Sequence, residues 1–249
     1  ASHLQGSGRH SGRKEMNTNS YTAFNAMVDI VATPGKALDN VKNHTAWLWW
    51  PLLITILLSL AMFTYYYTWV DFEFLVDETI RMQPAERRAE AAEGIRSFMT
   101  PTTSIVTTSI AIVAMTFIIY SIQSTYLHLA NKLTTGAEIK WGQWFSFSAW
   151  TAFVGVFAIL AAFVVMFMAD SNQLSQDKLQ PLSFNSLFIR AELGTPWATW
   201  GSSLQLTNIW MLVLMTIGYK VWTGASMVKS AIIACLPWVL IFGIWAALI

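Results

Sequence analysis

Five apolar stretches, none with a charged residue and each near the length that crosses a bilayer, dominate this chain: residues 47–69, 104–127, 144–168, 204–219 and 231–249. A tilted helix needs roughly 20 apolar residues to cross a ~30 Å hydrocarbon core. That core has no water to satisfy backbone N–H and C=O groups, so a helix, which satisfies them internally, is the economical form. A membrane barrel would instead show short segments of alternating polarity, and these stretches are apolar all round. The expected fold is therefore all-α: a polytopic membrane protein, a bundle of five transmembrane helices with short amphipathic N-terminal helices.

Little is left over for an aqueous domain. Hydrophobic residues make up 55% of the chain and charged residues 12%, half the roughly 25% charge of an average soluble domain. The longest polar connections, 70–103 and 169–203, are too short for an independent core of usual size. Residues 1–15, rich in Gly, Ser, His and Arg, read as the remnant of an expression tag. Residues 16–46 form an interfacial N-terminal segment and 47–249 the membrane domain. Net charge is +1 with lysine and arginine scattered, so there is no basic stripe for nucleic acid. Cys235, the only cysteine, lies inside the last stretch; it excludes an internal disulfide and a cysteine-clustered metal site, and reads as packing.

Orientation follows from basic residues near the span ends. Lys36, Lys42, Lys132, Lys140, Lys220 and Lys229 fall on one side, against six basic residues on the other that include Arg81, Arg87, Arg88 and Arg96. The raw counts tie. Lys42, Lys140, Lys220 and Lys229 lie close to a span, whereas Arg81, Arg87 and Arg88 are more distant and surrounded by acids. This places the N-terminus in the cytoplasm and the C-terminus in the periplasm of a bacterial inner membrane. No cleavable leader pattern follows Met16, so the first span serves as the insertion signal.

Tyr21, Phe24, Met27, Val28 and Val31 share one helical face. Thr33 followed by Pro34 predicts an N-cap with proline at the first helical position, opening a second helix with Ala37, Leu38 and Val41 on one face. Both are expected in the interface plane, bracing the bundle. Trp47, Trp49 and Trp50 fit an aromatic belt. Pro84 predicts a helix running to about Met99, with Glu93 and Arg96 as an i, i+3 pair, and Pro101 stops it. The connection 169–203 is poor in charge and carries Phe184, Phe188, Trp197 and Trp200, so it should bury against the bundle mouth or enter the outer leaflet.

Span two is dense in hydroxyls and holds Gln123; span four holds Gln205, Thr207 and Asn208. Such groups in hydrocarbon usually face other helices. Gly155, Ala158 and Ala162 in span three, and Gly243 and Ala247 in span five, are candidate close-packing faces. Pro51 sits in the first turn of span one, where a missing N–H costs little. Pro237 lies inside span five and should kink it, opening a pocket toward span four. Gln123, Gln205, Asn208 and Pro237 together make a candidate polar pathway.

Acids, lysines and arginines within spans mark proton relays and ion pathways, and these spans have none. His44 and His128 stand near span ends without a second ligand at metal spacing and read as interface residues. The common hydrolase, nucleotide and zinc-protease motifs are absent, and paired carboxylates occur only in the solvated stretch 86–93. No catalytic residue, metal or cofactor is expected. Asn43-His44-Thr45 matches a glycosylation acceptor but abuts span one on the expected cytoplasmic side.

The lead-in FNAMVDIVATPGKALDNVK, the WLWWPLL opening of span one, and IWMLVLMTIGYKVWTGASMVKSAIIACLPW from span four into span five resemble the bacterial branch of the Ypt-interacting (Yip-one) family of five-span membrane proteins. The resemblance covers most of residues 24–249 and rests on Asp29, Pro34, Trp47, Pro51, Gly218, Tyr219 and Lys220. It implies five helical spans with a cytoplasmic N-terminus. Eukaryotic members bind small Ypt/Rab GTPases and one another in vesicle traffic. Their long polar N-terminal region has no counterpart in this sequence, so GTPase binding is not carried over. The expected function is a non-enzymatic accessory or scaffold subunit, in contact with membrane lipids and with another membrane protein or a second copy, organising a complex or local lipid. The rival reading is a passive transporter or scramblase-like lipid handler that uses the polar faces of spans two and four.

Overall fold

The computed structural model describes residues 21–249, so the reading of 1–15 lies outside the described residues. The described residues are all-α, 82% helical. Two short helices, α1 (Ala23–Ala32) and α2 (Pro34–Asn43), lead through a 3-10 turn (Thr45–Leu48) into α3 (Trp49–Trp69). Then come α4 (Phe72–Arg81), α5 (Arg88–Phe98) and α6 (Pro101–Thr134). The next span is α7 (Trp141–Ala152) joined by a 3-10 turn (Phe153–Gly155) to α8 (Val156–Phe167). A long connection containing α9 (Pro196–Ser203) precedes α10 (Leu206–Thr223) and α11 (Met227–Ala247).

Four of these are long and apolar enough to cross a membrane: Thr45–Trp69, Pro101–Thr134, Trp141–Phe167 and Met227–Ala247. They match expected spans one, two, three and five, though α6 is longer than expected at both ends. The fourth expected span is α10, a helix of 18 residues diluted by Thr207, Asn208 and Lys220, and it is not among the four.

Local chemistry sets the ends. Thr22 caps α1 through a reciprocal box with Asn25, and Thr100 does the same for α6 with Thr103, each pair satisfying orphan N–H groups. Pro34 takes the first position of α2 as expected, but the Thr33 side chain makes no cap bond; the Thr33 N–H closes the end of α1 on the Asp29 carbonyl at 2.7 Å. Gly224, at φ 72°, ends α10 in the left-handed region and donates to the Lys220 carbonyl at 2.9 Å.

On the far side from α1, the expected helix from Pro84 begins as a 3-10 turn (Ala85–Arg87), and only Arg88–Phe98 is α. Arg96 pairs with Asp77 at 2.6 Å rather than with Glu93. That partner exists because α4 precedes it, a helix the sequence reading missed. Its signal was present: Asp71 caps Phe74 N–H, and Leu75, Val76 and Ile80 form the buried face. Asp71 also accepts from Gln173 at 3.0 Å, and that bond, with the backbone N–H of Phe74, holds its carboxyl below the usual range. The 169–203 connection docks on the bundle mouth. Tyr66 donates to the Leu174 carbonyl at 2.7 Å, and Trp200 to the Phe242 carbonyl at 2.9 Å.

The core has two main parts. One lies between α1, α2, α6, α7, α10 and α11 and is built on Trp144, Phe147, Trp150, Tyr219 and Trp222. The other lies at the opposite end, between α3, α4, α8 and the long connection, around Tyr66, Leu75, Met166 and Leu179. Of the candidate close-packing residues of spans three and five, Ala162 is buried in the second part. A Cβ at Gly155 or Gly243 would meet nothing within 4 Å. Span-two hydroxyls divide their work: Ser124 faces Ser148 of α7 at 3.2 Å, while Thr107 and Thr116 bond back to their own helix.

Pro237 sits inside an uninterrupted α11. Lacking an N–H, it leaves the Ile233 carbonyl without its usual donor. The Tyr126 hydroxyl of α6 supplies one at 2.8 Å, so a hydroxyl, rather than an open pocket, answers the proline. Tyr126→Phe is expected to cost about 1 kcal/mol in detergent unfolding. In a Pro237→Ala background the same change should be nearly neutral, because the alanine N–H restores the helical bond; equal costs in both backgrounds would contradict this account.

Candidate functional site

The motif residues gather at the end of the bundle that carries the N-terminal helices. Asp29 on α1 receives the Tyr21 hydroxyl at 3.0 Å and the Lys36 ammonium of α2 at 2.7 Å. Those contacts, Lys36 first, hold its carboxyl below the usual range; the Tyr21 phenol is pushed up by burial and by Asp29. Lys36 also lies 4.8 Å from the Tyr21 ring centroid. Pro34 opens α2, which buries Ala37, Leu38 and Val41 against α10 and α7.

Three polar bonds fasten α2 there. Trp222 Nε1 donates to the Leu38 carbonyl at 2.8 Å, Lys42 Nζ to the Trp222 carbonyl at 2.8 Å, and Gln143 Nε2 to the Lys42 carbonyl at 3.0 Å. The Trp222 and Lys42 carbonyls belong to the last turns of α10 and α2, where no intrahelical donor remains. An ammonium at the end of α10 also complements that helix's negative pole.

Gly218 is the close approach in this cluster. A Cβ there would meet Phe147 Cε2 at 2.4 Å and Leu38 Cδ1 at 2.9 Å. Tyr219 is fully buried, stacks on Trp144 at 5.6 Å and bonds Thr134 of α6 at 3.0 Å. Trp47 stacks on His44 at 4.1 Å, Pro51 is buried in the first turn of α3, and Lys220 is exposed. The seam between α7 and α10 is thus filled by rings: Phe147 and Trp222 stand 4.9 Å apart, Trp144 and Phe147 5.4 Å.

The polar-pathway residues are not brought together. α6 packs mainly on α3 and α7, and α10 on α11, α2 and α7. Among the described residues, no hydrogen bond joins Gln123 to Gln205 or Asn208. Gln123 Nε2 is buried without a partner. Gln205 lies at the opposite end, bridging to Ser183, where it lines a groove of about 680 Å³ with residues of α3, α8 and the long connection. Sequence reasoning missed that groove, because its walls come from four separate segments and only Gln205 stood out as polar.

Helix direction alternates between the two ends, which separates the charges. Among the described residues, the end bearing α1 and α2 has six lysines against three acids, Asp29, Asp39 and Glu138. The opposite end has six basic residues against ten acids among the described residues.

The fold and this cluster define a polytopic α-helical membrane protein closed at one end by its own N-terminal helices. A family model described as the Yip1 domain matches residues 28–248; the chain belongs to the Yip1 family. No curated protein and no solved structure matches it. Gly218→Ala is expected to lower stability by about 1–3 kcal/mol through overpacking against Phe147 and Leu38, read as a lower midpoint in thermal unfolding. An unchanged midpoint would mean that α2 and α10 do not meet as described.

Proposed function

We propose that this chain is a five-span protein of a bacterial inner membrane, N-terminus cytoplasmic and C-terminus periplasmic, which acts by contact as a non-enzymatic accessory or scaffold subunit and organises a membrane complex or local lipid. The fifth crossing is α10. What supports it is where its ends lie. Leu206 N–H bonds the Leu182 carbonyl at one end of the bundle, and Trp222 bonds Leu38 at the other, the same two ends that α3, α6, α7–α8 and α11 connect. The lysine-rich end is the one expected in the cytoplasm.

The observation that carries the contact reading is α6. It has 34 residues, roughly 51 Å at 1.5 Å per residue, well beyond a ~30 Å core. Only 6% of its most apolar window is buried, against 28% for the α7–α8 span. This longest span leaves most of its length to lipid or to a partner helix, a second copy being the simplest partner. Against a passive route stand the distance between Gln123 and the pair Gln205 and Asn208, which lie towards opposite ends of the bundle, and the rings that fill the α7–α10 seam at the end bearing α1 and α2.

Two readouts on one protein test this. In a Cys235→Ser background, cells carrying Glu90→Cys should react with a membrane-impermeant maleimide, and cells carrying Ser226→Cys should not; external labelling of Ser226→Cys would remove the fifth crossing. Reconstituted in liposomes, the protein should move neither dye, ions nor labelled lipid above empty vesicles. Flux that Gln123→Leu or Asn208→Leu abolishes would replace the contact reading with the transport one.

A further inference from the structure

The groove at the acidic end has the dimensions and the chemistry of a lipid site. Its volume, about 680 Å³, is within the range of small-molecule pockets. On α3 it reaches Ser59, ten residues before the helix ends at Trp69, which is roughly 15 Å at 1.5 Å per residue. Half of a ~30 Å hydrocarbon core is the same distance. The groove therefore runs from the helix ends to the midplane, the depth of one leaflet.

Polarity is graded along it. Met62, Phe63 and Ile159 line the part within the spans, and Asp177, Gln180 and Gln205 line the part formed by the connection. The lining includes a carboxylate and no lysine, arginine or histidine. Asp177 already accepts from the Ser175 hydroxyl, and a carboxylate has further lone pairs to offer a donor in the groove. Lys178 stands 3.7 Å from Asp177 on an exposed side chain, where water screens the pair. Nearby, burial and then the Asp177 charge push the Glu78 carboxyl above its usual range, with Arg81 and Lys178 acting in the opposite direction.

We propose that this groove seats one phospholipid whose headgroup carries a primary ammonium. Asp177 accepts from the ammonium, the Gln205 amide donates to the phosphate, and one acyl chain lies over Met62, Phe63 and Ile159. The charge-assisted bonds to the ammonium are the strong ones. A quaternary ammonium has no N–H to give Asp177, and a headgroup with only negative charge would meet its carboxylate, so both are disfavoured. The inference does not depend on the contact reading, since a scaffold and a transporter can each hold a structural lipid.

Native mass spectrometry of the intact chain in detergent, titrated with phosphatidylethanolamine, phosphatidylcholine and phosphatidylglycerol of matched acyl chains, tests it. The ethanolamine lipid should bind about fivefold tighter or more than either other lipid, as one charge-assisted bond allows. Asp177→Asn should erase most of that preference without moving the unfolding midpoint. Ala158→Phe, on the α8 wall of the groove, should weaken all three lipids alike. Equal binding of the three lipids, tighter binding of the glycerol headgroup, or an unaltered preference in Asp177→Asn would overturn the assignment.

Discussion

Two helix C-termini complete each other at one end of this molecule, and the rest of the arrangement depends on that exchange. The α10 end leaves the Trp222 carbonyl without a helical donor, and Lys42 from the last turn of α2 supplies an ammonium. The α2 end leaves the Lys42 carbonyl free, and Gln143 of α7 takes it. Trp222 returns its indole N–H to Leu38. The first two bonds satisfy backbone carbonyls that would otherwise sit unpaired beside an apolar core, and the third gives the buried indole N–H its acceptor. Because Gly218 lacks a side chain, Leu38 and Phe147 can come close enough for all three to form. A segment outside the apolar spans thereby becomes part of the core.

The charge distribution follows the same polarity. The end closed by α2 carries an excess of lysine, and the opposite end an excess of acid. The acidic end is also where the chain builds irregular structure, including a single π-helical turn (Asn185–Ile189) and Arg190 at φ 55°. Such backbone is costly away from water and persists where surrounding contacts hold it. Here Asn185 holds it, accepting from the Ala191 N–H at 3.0 Å and donating to the Ala191 carbonyl at 3.3 Å.

Helical membrane architecture was legible in the sequence because span composition answers directly to the bilayer. Gly218 and Tyr219 were legible as a motif, and their reason appears only in three dimensions, as a ring contact and a bond to Thr134. Helix α4 was hidden by its seven-acid neighbourhood, which masked a short buried stripe at Leu75, Val76 and Ile80. The polar residues of spans two and four invited a shared pathway. Their helices share α7 as a neighbour without packing extensively on each other, a matter of packing that one-dimensional polarity does not encode. The Pro237 kink failed as a pocket signal for a related reason: its compensating donor, Tyr126, lies more than a hundred residues away in sequence.

Hydrogen–deuterium exchange on the full chain in lipid nanodiscs tests the central claim most directly. If α2 is core rather than a loosely attached interfacial helix, its amides should exchange as slowly as those of α10, despite lying outside the spans. Rapid exchange across 34–43, with α10 protected, would show that the C-terminal exchange between α2 and α10 does not hold the end of the bundle together.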